Sequence, residues 1–263
     1  MSSSTVSSLL RADQAYYAQL AETHALDWGI AFVSNTFSLD PNANQFREVM
    51  LEPGTSAAHA LAAVNAYFES RDRRCCKWVS AADVDDTDLH RHLIEQGFIY
   101  REVRALLLTE WIDVPVPDGV RILPARAMRK SLTAIHDERF DDPNVTGKIG
   151  LCQAAQERLN DPRMDAFVAM LDDQPAGCCT LFEIGDIGRI CDLYVRNGNR
   201  RRAVGRALVG QVLRLARRLL LRVVCAPVAA DNEPALKLFA SCGLHPDGSI
   251  AEFVAPGVTL FDG

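Results

Sequence analysis

The sequence predicts an α/β protein in two domains, with strands and helices interleaved along the chain. Three observations lead there. The 263 residues are 48% hydrophobic and 24% charged, a soluble globular composition, with more apolar residues and less net charge than a disordered chain carries. Short apolar or alternating runs bounded by turn residues recur between segments of helical periodicity. Val114 to Gly119, Val-Pro-Val-Pro-Asp-Gly, is a proline-rich break that separates about 110 residues from about 145, each an ordinary domain size. The expected division is therefore 1–113, a linker at 114–119, and 120–263.

The elements follow in order. Met1 to Ser8 reads as a serine-rich tail without the basic-then-apolar pattern of a signal peptide. Trp28 to Ser34 reads as a strand, His59 to Ser70 as a helix and Cys75 to Ser80 as a strand. Thr87 to Gln96 reads as a helix stopped by Gly97, and Tyr100 to Thr109 as a strand. After the linker come a strand over Val120 to Pro124, helices over Met128 to Glu138 and Gln153 to Leu159, and a hairpin of Asp165 to Leu171 with Ala176 to Ile184. Ile190 to Val195 is a strand, and about Ala203 to Arg218 a long helix whose apolar stripe is Val204, Leu208, Val212, Leu215 and Leu219. Arg222 to Val228 is a strand interrupted by Pro227. Asp231-Asn232-Glu233-Pro234 caps a last helix that stops at Gly243. Gly97 and Gly243 lie 146 residues apart, as do Asp85 and Asp231, which suggests an internal repeat.

Composition also excludes functions. A formal net charge of -6 argues against a general nucleic-acid or membrane-surface binder, and no apolar run reaches the 18 or more residues of a membrane helix. The eight cysteines include two adjacent pairs, Cys75-Cys76 and Cys178-Cys179, whose side chains point to opposite faces of a strand. No CxxC or zinc-finger spacing is present. They read as reduced, small apolar side chains of a cytoplasmic protein, with no metal site.

The long helix begins in an unexpected way. Arg200, Arg201, Arg202 and Arg206 crowd an N-terminus that already carries partial positive charge and unpaired N–H groups. A strand running through a tight turn into a helix N-terminus is a phosphate-binding arrangement, and an anion there would account for the arginines. A solvated arginine cluster is the alternative.

Leu193-Tyr194-Val195 followed by Arg200-Arg201-Arg202-Ala203-Val204-Gly205-Arg206 resembles the acetyl-CoA motif of the GCN5-related N-acetyltransferases, Arg/Gln-x-x-Gly-x-Gly/Ala after a strand ending in Val. Arg200 takes the Arg position, Ala203 stands where the first glycine is usual, and Gly205 is the last glycine. A second register, Arg202-x-x-Gly205-x-Ala207, fits the letters but lengthens the turn. Asn232-x-x-Ala235-x-x-Leu238-Phe239-x-x-x-Gly243-Leu244 is similar to the family's downstream segment. His92 to Phe98 looks like the end of that segment in a degraded first copy, with no phosphate turn before it. The resemblance implies a mixed sheet flanked by helices, in two tandem domains of which only the second, at 120–263, holds cofactor.

It also implies direct acetyl transfer from acetyl-CoA to a small-molecule or peptide amine. Backbone amides of Leu193 and Val195, flanking Tyr194, would hold the carbonyl and pantetheine. Turn amides from Arg201 to Arg206, Val204 included, would hold the pyrophosphate, and Asn232 would touch the pantetheine arm. Gly205→Glu would then place bulk against the pyrophosphate. For the base, the family's usual Glu position is Cys191 here, which leaves Asp192, if a bulge re-aims it, or Glu183 on the hairpin. The family's leaving-group tyrosine is Phe239 here. Either the thiolate leaves unassisted, another group serves, or the domain is a catalytically inactive acyl-CoA-binding module. Asp137 and Glu138 at a helix end could attract an amine, or simply be solvated.

Overall fold

The computed structural model describes residues 5–82, 86–141 and 147–259. Helix α1 (Thr5–Tyr17) precedes strands β1 (Glu22–Leu26), β2 (Gly29–Val33) and β3 (Gln45–Val49), then α2 (Ala57–Glu69), β4 (Lys77–Ser80), α3 (Thr87–Glu95) and β5 (Ile99–Leu108). The second half runs β6 (Val120–Pro124), α4 (Arg129–Arg139), α5 (Lys148–Arg158), β7 (Met164–Leu171), β8 (Gln174–Ile184) and β9 (Ile187–Val195). It ends with α6 (Val204–Arg218), β10 (Val223–Ala229), α7 (Glu233–Ala240) and β11 (Leu244–Val254).

The strands form one sheet in the order β1-β2-β3-β4-β11-β5-β10-β9-β8-β7-β6. The chain crosses from one half to the other at 114–119, but the sheet does not divide there. Strand β5 of the first half lies between β10 and β11 of the second, and β11 in turn pairs with β4. The two halves have exchanged their last strands, so neither 1–113 nor 120–263 has a complete sheet of its own.

Alternation along the strands sorts the helices onto two faces. Val224, Ala226 and Val228 of β10 pack with α6 residues Val204, Leu208 and Val212. Their neighbour Cys225 points the other way, to Val6, Leu9 and Leu10 of α1. On that same face Cys178 joins Leu132 and Ile135 of α4, while Cys179 goes to the α6 side. Helices α2 and α3 lie on the α6 side, around Phe46, Trp78 and Phe253. Seven of the eight cysteines are buried, and burial raises the thiol of Cys178 to about 12. Among the described residues no helix is long and apolar enough to cross a membrane.

The repeat is structural as well as sequential. The run β3–α2–β4–α3–β5 recurs as β9–α6–β10–α7–β11. Asp86 caps α3 by accepting the Leu89 N–H at 2.9 Å, and Asn232, 146 positions later, caps α7 by accepting the Ala235 N–H at 3.2 Å. Gly97 and Gly243 both take positive φ, +85° and +90°. Asp85 lies outside the described residues.

Several elements differ from the sequence reading. The serine-rich start is helical from Thr5, with Val6, Leu9, Leu10, Asp13 and Tyr16 on its buried side. The second helix of the later half starts at Lys148 rather than Gln153. Pro227 does not interrupt β10. Ala230 donates its N–H to Glu102 O on β5. By alternation, position 227 faces the opposite edge, where β10 has already lost its neighbour and a missing N–H breaks no ladder bond.

Candidate active site

Strands β9 and β10 pair in parallel at Ile187–Val223, Gly188–Val224 and Arg189–Cys225, and then diverge. The result is a wedge between residues 190–195 and 226–229. Arg196 donates its N–H to Ala176 O on β8, so by alternation the N–H groups of Leu193 and Val195 point away from β8 and into the wedge. The corresponding strands of the first half stay zipped. Phe46 pairs with Trp78, Val49 with Ser80, and the Ala81 N–H still reaches Val49 O at 3.1 Å. The first half therefore has no slot at the equivalent place.

Beyond Val195 the chain enters the arginine turn. Arg201 and Ala203 both adopt left-handed backbone, φ +61° and +59°, and α6 starts at Val204 with no side-chain cap. Ala203 stands at the expected glycine position, and its conformation explains the preference: glycine reaches this region without steric cost. The N–H groups of residues 201–206 have no backbone acceptor among the described residues. Arg200 donates to Val195 O at 3.2 Å, Arg202 to Asp172 at 3.1 Å and Arg206 to Ser241 O at 3.4 Å, all exposed. The turn thus presents donors and cations to solvent at a helix N-terminus, the requirement for an anion cradle.

Gly205 plays a different part from the one expected. A Cβ there would meet Leu238 Cδ1 at 2.7 Å and Val195 Cγ2 at 3.3 Å. The glycine lets α6 approach α7 and β9, so a larger residue would pry the turn off its supports. The α4 end holds the turn from the other side. Glu138 accepts from Arg196 Nε at 2.6 Å and from the Asn197 N–H at 2.7 Å, so it is not a solvated helix-end acid. Asn232 lines the wedge, but its side-chain oxygen is spent on the α7 cap. Phe239 is 3% exposed and also lines the wedge.

The two candidate bases separate. Asp192 is re-aimed: it takes φ +54° in a β-bulge, so its carboxylate turns to the α1 face that alternation assigns to Cys191. There it accepts from Tyr16 OH at 2.9 Å and pairs with Arg139 at 3.3 Å. Burial would raise its pKa, but Arg139, Arg158 and the tyrosine outweigh it and hold the carboxyl at about 2. A carboxylate that acidic is a poor proton acceptor at neutral pH. Glu183 pairs with Gly188 at the far end of the β8–β9 hairpin, before the strands diverge, and does not line the cavity. Burial and a hydrogen bond to Asp165 raise its carboxyl to about 7, yet it is too far along the strand to reach the wedge.

The wedge opens on the α1 face into a polar cavity that draws on both halves of the chain. Asp13 of α1 bridges them, accepting from Arg47 of β3 and Arg189 of β9 at 2.6 Å each, with all three side chains at most 5% exposed. Lys77 of β4 pairs with Glu252 of β11 at 3.3 Å. Asp40 and Asn42 come from the loop before β3, and Arg158 from the end of α5. His136 lies behind Asp192. Burial, then Arg139, lower its pKa to about 4, so it is neutral at pH 7. None of Asp13, Tyr16, Asp40, Arg139 and Arg158 was singled out from sequence. For α1 the signal existed: Val6, Leu9, Asp13 and Tyr16 share one helical face.

Residues 128–244 match the family model of the acetyltransferase (GNAT) family. Solved structures with the same fold include a GCN5-related N-acetyltransferase from Kribbella flavida, 13% identical over 94% of each chain with a TM-score of 0.65. Another is a GCN5-related N-acetyltransferase from Sphaerobacter thermophilus, 17% identical over 91% of this chain and 86% of that one, TM-score 0.63. A tandem GNAT protein from the clavulanic acid biosynthesis pathway is 14% identical over 95% and 88%, TM-score 0.58. No curated protein matches the chain in sequence.

Proposed function

We propose that this chain, whose residues 128–244 match the model of the acetyltransferase (GNAT) family, transfers the acetyl group of acetyl-CoA directly to an amine. The observation that carries the reading is the wedge itself: unpaired strand amides lead straight into a turn of free N–H groups and arginines. The donors of residues 201–206 suit a pyrophosphate. The Leu193 and Val195 amides suit a thioester carbonyl and its pantetheine arm, where they would stabilise the developing oxyanion. Acetyl-CoA supplies the activated acyl group.

In the transfer the amine lone pair attacks the thioester carbon. The C–N bond forms, the C–S bond breaks, and sulfur leaves with the electron pair. The proton shed by nitrogen reaches the thiolate through water. Phe239 has no proton to give, and a thiol pKa of about 8.5 lets the thiolate leave unassisted. With Asp192 held ionised by its partners, deprotonation of the incoming ammonium falls to water in the polar cavity, and positioning supplies most of the rate. The setting we propose is a reducing cytoplasm, in keeping with cysteines that serve as buried packing groups.

Phe239 and Cys191 favour a second reading, an acyl-CoA-binding module without turnover. Calorimetry with acetyl-CoA, followed by thiol release across an amine panel, separates the two. Saturable binding with thiol release supports transfer. Binding without release from any amine supports the module, and no binding at millimolar acetyl-CoA would overturn both.

A further inference from the structure

Among the described residues that line the polar cavity beside the wedge, the acids are engaged and Arg158 is held by no hydrogen bond, only by a long ion pair with Asp40. Asp13 is claimed by Arg47 and Arg189, Glu252 by Lys77, and Asp192 by Tyr16 and Arg139. Asp40 accepts the N–H of Asn42 in its own loop at 2.8 Å. Arg158 is only 10% exposed, and its nearest carboxylate, Asp40, is 3.9 Å away, beyond hydrogen-bond reach. Its buried Nε has no hydrogen-bond partner among the described residues. A guanidinium carries five donors and is costly to bury unsatisfied.

The side chain is held in place without being satisfied. It stacks over the Tyr16 ring at 4.7 Å from the centroid. The same tyrosine bonds Asp192 at 2.9 Å, and Asp192 immediately precedes Leu193, whose amide faces the wedge. Arg158 is thus linked, through one tyrosine and Asp192, to the strand residue next to the Leu193 amide, and it lines the same cavity.

Resting on the acetyl-transfer reading above, we propose that Arg158 anchors the acceptor's carboxylate, and that the acceptor is a small amine of the amino-acid class. A carboxylate matches the planar fork of the guanidinium. Asp40 and Asp192 border the same space, so a monoanion is tolerated there while a dianionic phosphate is repelled. The same two acids favour the positive end of the molecule on the wedge side. A zwitterion complements this cavity better than a simple amine does.

The test pairs the standard L-amino acids with their carboxamides in the thiol-release assay, on wild type, Arg158→Lys and Arg158→Met. In parallel, calorimetry measures binding of the N-acetylated products and their amides to the CoA-loaded protein, which needs no turnover. Wild type should prefer the carboxylate member by a factor of about 10–100. Arg158→Met should erase that preference through KM, or through product affinity, bringing the acids down to the level of their carboxamides. Arg158→Lys should retain part of it, and melting curves and acetyl-CoA affinity of both variants report the fold. Equal handling of acids and amides by wild type, or an equal loss on both in Arg158→Met, would overturn the assignment. Failure to bind acetyl-CoA would instead overturn the reading it rests on.

Discussion

Ala203 offers a test of the arginine turn that needs no ligand. It sits at φ +59°, ψ 8°, immediately before α6, and is exposed. An L-residue in this region costs roughly 1–2 kcal/mol through the approach of Cβ to the backbone. Glycine removes that cost but adds about 0.5–1 kcal/mol of unfolded-state entropy. Ala203→Gly should therefore gain about 0.5–1 kcal/mol, a rise of about 1–4 °C in Tm for a chain of this size. Ala207→Gly, one turn further into α6 where alanine is buried and helical, should lose about 1 kcal/mol. Thermal melts of both variants against wild type give opposite signs if the turn is left-handed at 203. A lower Tm for both would refute the conformation, and with it the alignment that puts the motif's first glycine there.

Other expectations follow from the charges. Glu183→Gln should leave kcat/KM within about twofold, since the side chain lies outside the cavity. Because the folded-state pKa of Glu183 is raised to about 7 from 4.5, wild type should lose stability as pH climbs through that interval. The glutamine variant should not, and denaturant melts across pH 4 to 8 check this. Asp192→Asn should destabilise by about 2–4 kcal/mol, because it leaves the Arg139 guanidinium buried beside a neutral amide. The depression of Asp192 from 3.8 to about 2 contributes about 2 kcal/mol that is present above pH 4 and lost on acidification toward pH 2. The stability gap between wild type and variant should narrow over that range, and a pH-independent gap would contradict the ion pairing. A protease site placed in 114–119 should give a nicked protein that elutes as one species, since β5 is hydrogen-bonded on both edges to strands of the other half. Separation of the fragments under native conditions would contradict the exchanged strands.

The parts legible in sequence are those where the backbone demands particular residues. The Asn232 cap, Pro234, Gly243 and the turn before α6 each answer a local geometric need, and they lie where they were expected. What sequence missed depends on residues far apart in the chain. Asp13 joins β3 to β9, and Arg158 stacks on Tyr16, across separations no local pattern records. Helix α1 was hidden by serine-rich composition, although its buried positions are regularly spaced. The exchange of β5 and β11 left no mark at all. Each strand has the alternation of an ordinary sheet strand, and alternation does not name a neighbour.

The contrast between the halves shows why Asp192 is where it is. Both β3 and β9 carry one non-glycine residue of positive φ, Glu48 at +55° and Asp192 at +54°. In β3 the kink comes late and pairing resumes at once, Val49 with Ser80. In β9 it falls inside the stretch beyond Arg189, the last residue paired with β10, and pairing does not return. Aspartate is among the residues that tolerate left-handed backbone best, and the bonds from Tyr16 and Arg139 hold it there. Those partners belong to α1 and α4, so the first helix of the chain and the first helix of the second half both grip β9 along the wedge. A carboxylate doing that work gains from a low pKa, since protonation would release Arg139. On this view a low pKa suits Asp192 to bracing, and the first half takes part in the site through α1 even though its own strands are closed.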